Sequence, residues 1–231
     1  MEKFKESGKP STRQRDMRKL KKVAINSAPK FKVNVLRDLT PLTELNSSHP
    51  AKEYILRREL PLESLYYTEK FKEWTNSVKP NTFEDTRLDE PRIIIPFRDA
   101  NGDTFGFQGR SLSSDGLRYI TVLLDDKHVK IFGLDTVNTT ERVYIVEGPL
   151  DSLLVNNGVA MAGADVTNVP ELNGADVVYV YDNEPRNKQI TDRILKHIKD
   201  GHSVIIWPNE IKEKDINDMV LAGRDVQSIL Q

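Results

Sequence analysis

From Arg142 to the end of the chain, short apolar runs alternate with amphipathic stretches, and this alternation restricts the fold more than any other feature. Val143-Tyr144-Ile145-Val146 is apolar along its whole length, and Glu147-Gly148 turns the chain after it. Pro149 opens the next helix at its first turn, where a missing amide costs nothing, and Gly158 closes it. Val159-Ala160-Met161-Ala162 is a weaker second strand, and Asp176-Val177-Val178-Tyr179-Val180-Tyr181 a strong third. Asn187 to Asp200 places Ile190, Ile194, Leu195 and Ile198 on one helical face and stops at Gly201. Val204-Ile205-Ile206-Trp207 is a fourth strand, ended by Pro208. Apolar strands separated by amphipathic helices predict an α/β fold with a parallel sheet covered on both faces.

The upstream half reads differently. Arg92-Ile93-Ile94-Ile95-Pro96-Phe97 and Thr104–Arg110 flank Asp99-Ala100-Asn101-Gly102-Asp103, a hairpin whose Asn-Gly step supplies positive φ. Pro96 lacks an amide donor, which predicts an edge position or a bulge. Leu117–Leu124 and Val129–Phe132 read as further strands. Asp38–Glu73 reads as helical, with His49-Pro50 ahead of Ala51–Leu56, Pro61 starting another short helical stretch, and a break at Lys79-Pro80-Asn81. The expected organisation is a basic arm or linker over residues 1–32, a smaller mixed α+β subdomain over 33–140, and the α/β domain over 141–231.

Charge separates the arm from the rest. Residues 1–32 hold eleven Lys/Arg against Glu2, Glu6 and Asp16, a net of +8, so the remaining residues carry −9 of the chain's total of −1. A basic arm on an acidic body points to a polyanion partner for the arm and a cation for the body. With no cysteine, the chain has no disulfide, no thiol nucleophile and no Cys-based zinc module of its own, and a reducing, cytoplasmic setting is expected. His49, His128, His197 and His202 lack metal-ligand spacing, and no apolar run reaches the length of a membrane span.

In an open α/β sheet, ligands bind at the carboxyl ends of the strands. Here those ends release Glu147, then Asp182-Asn183-Glu184, and shortly after the fourth strand Lys214-Asp215-Ile216-Asn217-Asp218. Any one of these acids alone reads as a helix-start or surface carboxylate. Three groups at one sheet edge read as a site, because clustered carboxylates repel unless a cation sits among them. Hard oxygen donors without His or Cys select Mg²⁺ or Mn²⁺, the ions of phosphate chemistry.

These segments carry a resemblance. Val146-Glu147-Gly148-Pro149-Leu150-Asp151-Ser152-Leu153, Tyr181-Asp182-Asn183-Glu184 and Lys214-Asp215-Ile216-Asn217-Asp218 resemble the three signature segments of the TOPRIM domain, a Rossmann-like parallel sheet flanked by helices. Upstream, Arg92–Asp99, Gly102, Gly106-Phe107 and Gly109-Arg110 are similar to the strand–turn–strand that precedes TOPRIM in bacterial replicative primases. Arg118-Tyr119-Ile120, Lys130-Ile131-Phe132-Gly133 and the helical Ala51–Leu60 segment extend the likeness collinearly over roughly residues 45–225.

The resemblance implies a primase catalytic core, phage or bacterial, that makes short RNA primers on single-stranded DNA by metal-dependent nucleotidyl transfer. Glu147, Asp182 and Glu184 are its expected catalytic acids, and together with Asp215 they are expected to hold one or two Mg²⁺ or Mn²⁺ ions. Arg110, Arg118 and Lys130 are expected to contact the incoming triphosphate or the template backbone. Implied partners are a single-stranded DNA template, ribonucleoside triphosphates and a replicative helicase, with no membrane; the implied place is the cytoplasm, the host's for a phage protein. Departures from the family pattern are Glu184 where an aspartate is usual, Asn217 where many members have Asp, and the lack of a zinc ribbon, which leaves either a zinc-free relative or a core whose zinc module lies elsewhere. The alternatives are a TOPRIM nuclease, which has no need of the upstream Pro-Phe-Arg-Asp…Gly-Phe-x-Gly-Arg segment, and a catalytically degenerate DNA- or helicase-binding module, against which Glu147 and Asp182 stand intact.

Overall fold

A computed structural model describes residues 34–125, 127–162 and 169–231; the basic segment of residues 1–32 lies outside them. The first sheet is built from β1 (Thr40–Pro41), β2 (Tyr66–Thr68), β3 (Arg92–Arg98), β4 (Thr104–Ser111) and β5 (Tyr119–Leu123), antiparallel throughout in the order β1-β2-β3-β4-β5. Two helices interrupt it, α1 (Pro50–Leu56) and α2 (Phe71–Val78). Strand alternation sends Ile93, Ile95 and Phe97 to one face, where they pack with Leu42 and with Ile55 of α1. Ile94, Phe107 and Val122 face the other way, against Phe71 and Trp74 of α2.

The expected helical reading of Asp38–Glu73 holds only for a 3-10 turn at Leu42–Glu44, for α1 and for the start of α2. His49 caps α1, its Nδ1 accepting the Ala51 amide at 3.2 Å, with Pro50 at the first turn. The helix then stops: Glu59 turns left-handed at φ 55°, Pro61 lies outside any helix instead of starting one, and Tyr66-Tyr67-Thr68 pairs with Ile94-Ile93-Arg92. Aromatic and β-branched side chains beside a preformed strand favour pairing over helix.

The hairpin between β3 and β4 is as expected, except that Gly102 alone of the Asn-Gly step takes positive φ, at 80°. Asp99 Oδ1 accepts the amides of Asn101 and Asp103, each at 2.9 Å, and holds the turn. Pro96 pairs with Phe107 of β4 beyond the reach of β2, and the β3–β4 register shifts between Phe97 and Arg98. Val129–Phe132, expected as a strand, makes a single bridge from Phe132 to Ala160.

The second sheet is parallel: β6 (Val143–Val146), β7 (Gly158–Ala160), β8 (Val177–Val180) and β9 (Ser203–Val204), in the order β7-β6-β8-β9. Its helices are α3 (Pro149–Ser152), α4 (Lys188–Lys199), α5 (Ile216–Leu221) and α6 (Val226–Leu230). Ile145, Val159 and Tyr179 pack toward Ile190 of α4, whereas Tyr144, Val146, Val178 and Val180 pack toward α5 and α6. The α/β expectation of helices on both faces therefore stands, with a mixed α+β layer before it.

Two details differ from expectation. On α4, Ile190, Ile194 and His197 face the sheet, while Leu195 is 64% and Ile198 50% exposed. The i, i+4, i+7 spacing selects His197, which packs against Tyr179 with ring centroids 4.0 Å apart and the ring planes tilted by 46°. The fourth strand ends at Val204; beyond it the Ile205 amide still donates to Tyr179, but Trp207 reaches β8 through its indole, which donates to the Tyr181 carbonyl at 2.7 Å. Among the described residues no helix is long and apolar enough to cross a membrane.

Candidate active site

The carboxyl ends of β6 and β8 lie side by side because those strands are neighbours, and α5 starts beside them. Val146 hands the chain to Glu147, and Val180 to Tyr181-Asp182. Asp215 caps α5 by accepting the Asp218 amide at 2.8 Å. Asn183 ties the second and third segments together: its amide donates to the Lys214 carbonyl at 2.7 Å, and its side chain to the Ile211 and Glu213 carbonyls at 3.0 and 3.1 Å.

Glu147, Asp182 and Asp215 consequently line one cavity of about 300 Å³, together with a fourth acid, Asp151. Asp151 folds back over Gly148, where a β-carbon would stand 2.7 Å from its Oδ2, so a larger residue there would displace the Asp151 carboxylate. Asp151 Oδ1 accepts the Asn217 amide at 3.1 Å, and Asn217 Nδ2 donates to the Arg58 carbonyl at 2.6 Å, which brings the end of α1 to the same cavity.

The acids feel one another. Burial, then the charges of Glu147, Asp151 and Asp215, push the Asp182 carboxyl up to about 7, against the pull of Lys214. Burial and then Asp215 push Asp151 up to about 6. Burial also raises Glu147, offset by Arg193. Two cations answer this charge from the acidic side: Lys214 Nζ lies 3.3 Å from Glu184 and 3.8 Å from Asp182, and Arg193 on α4 lies 3.9 Å from Glu147.

Part of the cavity wall is basic and aromatic. Arg110 on β4 donates from Nε to the Tyr54 hydroxyl at 3.2 Å, and its guanidinium lies 5.0 Å from the Tyr54 ring centre and 5.1 Å from that of Tyr119. Arg58 lies 5.5 Å from Tyr54, and Arg118 also lines the cavity. Behind this wall Arg92 is buried; it pairs with Glu90 and donates to the Gly109 and Leu117 carbonyls, each at 2.8 Å. Gly109 leaves room for it: a β-carbon there would stand 2.5 Å from the Phe71 ring and 3.0 Å from Arg92.

Of the residues expected from sequence, the structure brings Glu147, Asp182, Asp215, Arg110 and Arg118 to the cavity. Glu184 stands beside it, paired with Lys214, while Lys130 is exposed and does not line it. Asp151, Tyr54, Arg58, Arg193 and Lys214 were not assigned roles from sequence. For Asp151 the signal was there, an acid four positions after Glu147 with a glycine between; Arg193 sits on a helix surface and gives none.

Among the described residues, no three His, Cys, Asp or Glu side chains are arranged to hold an ion as they stand. The donor chemistry nevertheless fits a hard divalent cation: only carboxylates converge, two of them with strongly raised pKa values, and Glu147 Oε1 is buried without a hydrogen-bond partner among the described residues.

No protein-family model matches the chain. It is similar to the DNA primase of Enterobacteria phage T4, with 36% identity over 186 residues, covering 78% of this chain and 53% of that primase. The chain thus spans about half the length of that relative. In fold it resembles a DnaG primase catalytic domain solved bound to single-stranded DNA (TM-score 0.57, 19% identity, 80% of this chain and 71% of that one). It also resembles a DNA primase domain from Pseudomonas aeruginosa (TM-score 0.60, 18% identity, 80% and 71%). The chain is a homologue of the phage T4 DNA primase and carries the fold of the DnaG catalytic core.

Proposed function

We propose that the protein synthesises short RNA primers on single-stranded DNA, as a nucleotidyltransferase acting on ribonucleoside triphosphates. The observation that carries this reading is one cavity lined both by acids from three βα segments and by Arg58, Arg110 and Arg118. A polymerising site needs both signs of charge, acids for the ions and cations for the triphosphate and template backbone. The homology to a DNA primase and the fold of a DnaG domain solved with single-stranded DNA support the same reading.

In this reading Glu147, Asp182 and Asp215, with Asp151 behind them, hold Mg²⁺ or Mn²⁺. Such an ion, when bound, lowers the pKa of an attacking hydroxyl and stabilises a leaving phosphate. The protein's own residues do the rest. Asn183 and Asn217 keep the acidic segments in register. Arg110, fixed against Tyr54 and Tyr119, presents its guanidinium to phosphate oxygens, and Arg118 approaches from the start of β5. Replication beside a helicase, in the cytoplasm, is the setting this activity implies.

The test is incubation with single-stranded DNA, labelled ribonucleotides and Mg²⁺, beside a labelled DNA substrate alone. RNA oligomers that fall by about 10³-fold in Glu147→Gln are the expected result, on the scale of losing one transition-state electrostatic partner. DNA cleavage without synthesis would transfer the same acids to a nuclease.

A further inference from the structure

Lys214 is held against two carboxylates, those of Asp182 and Glu184. Its placement is set by backbone: the Asn183 amide, lying between Asp182 and Glu184, donates to the Lys214 carbonyl at 2.7 Å. Two further bonds from the Asn183 side chain fix the carbonyls of Ile211 and Glu213, just ahead of it. The ammonium therefore reaches Glu184 at 3.3 Å and Asp182 at 3.8 Å, from a side chain that is 53% exposed. Lys214 also lines the cavity that Glu147, Asp151 and Asp215 share.

Within 4 Å of the same oxygens, a monovalent ammonium and a divalent ion repel each other and claim the same lone pairs. The long, exposed stem lets the ammonium leave without disturbing the core, whereas the acidic segment is tied down by Asn183, and Glu184 Oε2 accepts the Asn187 side-chain amide at 3.1 Å. A group that is tethered by its backbone and loose at its tip is suited to exchange. Arg193, 3.9 Å from Glu147, does not bear on this pair.

We propose that Lys214 is an exchangeable counter-ion of the Asp182–Glu184 pair, displaced when a divalent cation binds. It neutralises the acids in the ion-free protein and sets the ion concentration at which the site fills. This inference rests on the primase reading only in that the acids of the cavity bind a divalent ion.

The experiment is Mn²⁺ binding by electron paramagnetic resonance and calorimetry, on the full chain without nucleotide or DNA. Lys214→Gln is expected to bind Mn²⁺ about tenfold tighter than wild type, the least effect that a charge at this distance has on a carboxylate. Lys214→Arg, which restores the charge, is expected to stay within about twofold of wild type. Wild-type binding that weakens in Asp182→Asn but is unchanged or weaker in Lys214→Gln overturns the counter-ion while leaving the metal site standing. Wild type that binds no Mn²⁺, or binds it equally well after Asp182→Asn, overturns both.

Discussion

The parallel sheet delivers its acids from strand ends, whereas the antiparallel sheet offers its cations from a strand face. Glu147 and Asp182 occupy their places because β6 and β8 are neighbours, and any chain of that topology would bring those two positions together. Arg110 and Tyr119 occupy theirs because β4 pairs with β5 in one register, with Arg110 opposite Tyr119, and because Arg92 holds the carbonyls of Gly109 and Leu117 beneath them. Topology places the acids, and side-chain packing places the bases. The acidic half should then tolerate damage to the packing that the basic half does not survive.

Substitution of Arg92 gives the largest effect and the clearest separation. Arg92→Met removes a buried guanidinium that pairs with Glu90 and satisfies two carbonyls, so unfolding by urea is expected to show a loss of about 3 kcal/mol. In the fraction that folds, the KM for ribonucleotides rises severalfold while Mn²⁺ affinity stays at the wild-type value. An equal loss of both would break the distinction between the two halves.

A smaller effect comes from pH. In the folded protein Asp182 titrates near 7 and Asp151 near 6, against 3.8 for an ordinary aspartate. Between about pH 4 and 7 the folded state therefore keeps protons that the unfolded chain has lost, and stability falls as pH rises through the folded values. Denaturation midpoints of the ion-free protein should drop from pH 5 to pH 8, with a flatter profile in Asp182→Asn and in wild type with Mn²⁺. A profile that Asp182→Asn leaves unchanged would remove the acid cluster as its cause.

The smallest effect lies at the join between α1 and the cavity. Glu59 is exposed and left-handed at φ 55°, the residue after Arg58. Glu59→Gly relieves that backbone at some cost in chain entropy, a net gain of about 0.5 kcal/mol, read as a small rise in melting temperature. A fall in melting temperature would mean that the Glu59 side chain contributes contacts of its own.

The same contrast explains what could be read from sequence. Apolar runs at β6 and β8 announce themselves, so Glu147 and Asp182 could be placed from the pattern alone, and Asp215 followed from the third segment. β1 and β2, of two and three residues, exist through pairing, β2 with β3 and β1 with β2, and nothing in Asp38–Glu73 taken alone marks them. Tyr54 on α1 and Arg58 in the turn just after it are far from Arg110 in sequence, and meet it only because α1 packs on the same sheet face as Ile93 and Ile95. Lys130 lies on a run that reads as a strand but contributes one bridge, at Phe132, and leaves the lysine exposed and outside the cavity lining.

The central proposal is that three separate chain segments together hold the divalent metal. Loading the protein with Fe²⁺ in place of Mg²⁺ and starting local radical chemistry with ascorbate and peroxide cuts the backbone beside the bound metal. The account predicts cuts grouped at residues 147–151, 181–184 and 213–217, all suppressed together by excess Mg²⁺. Cleavage at only one of these segments, or at sites elsewhere with these intact, would contradict it.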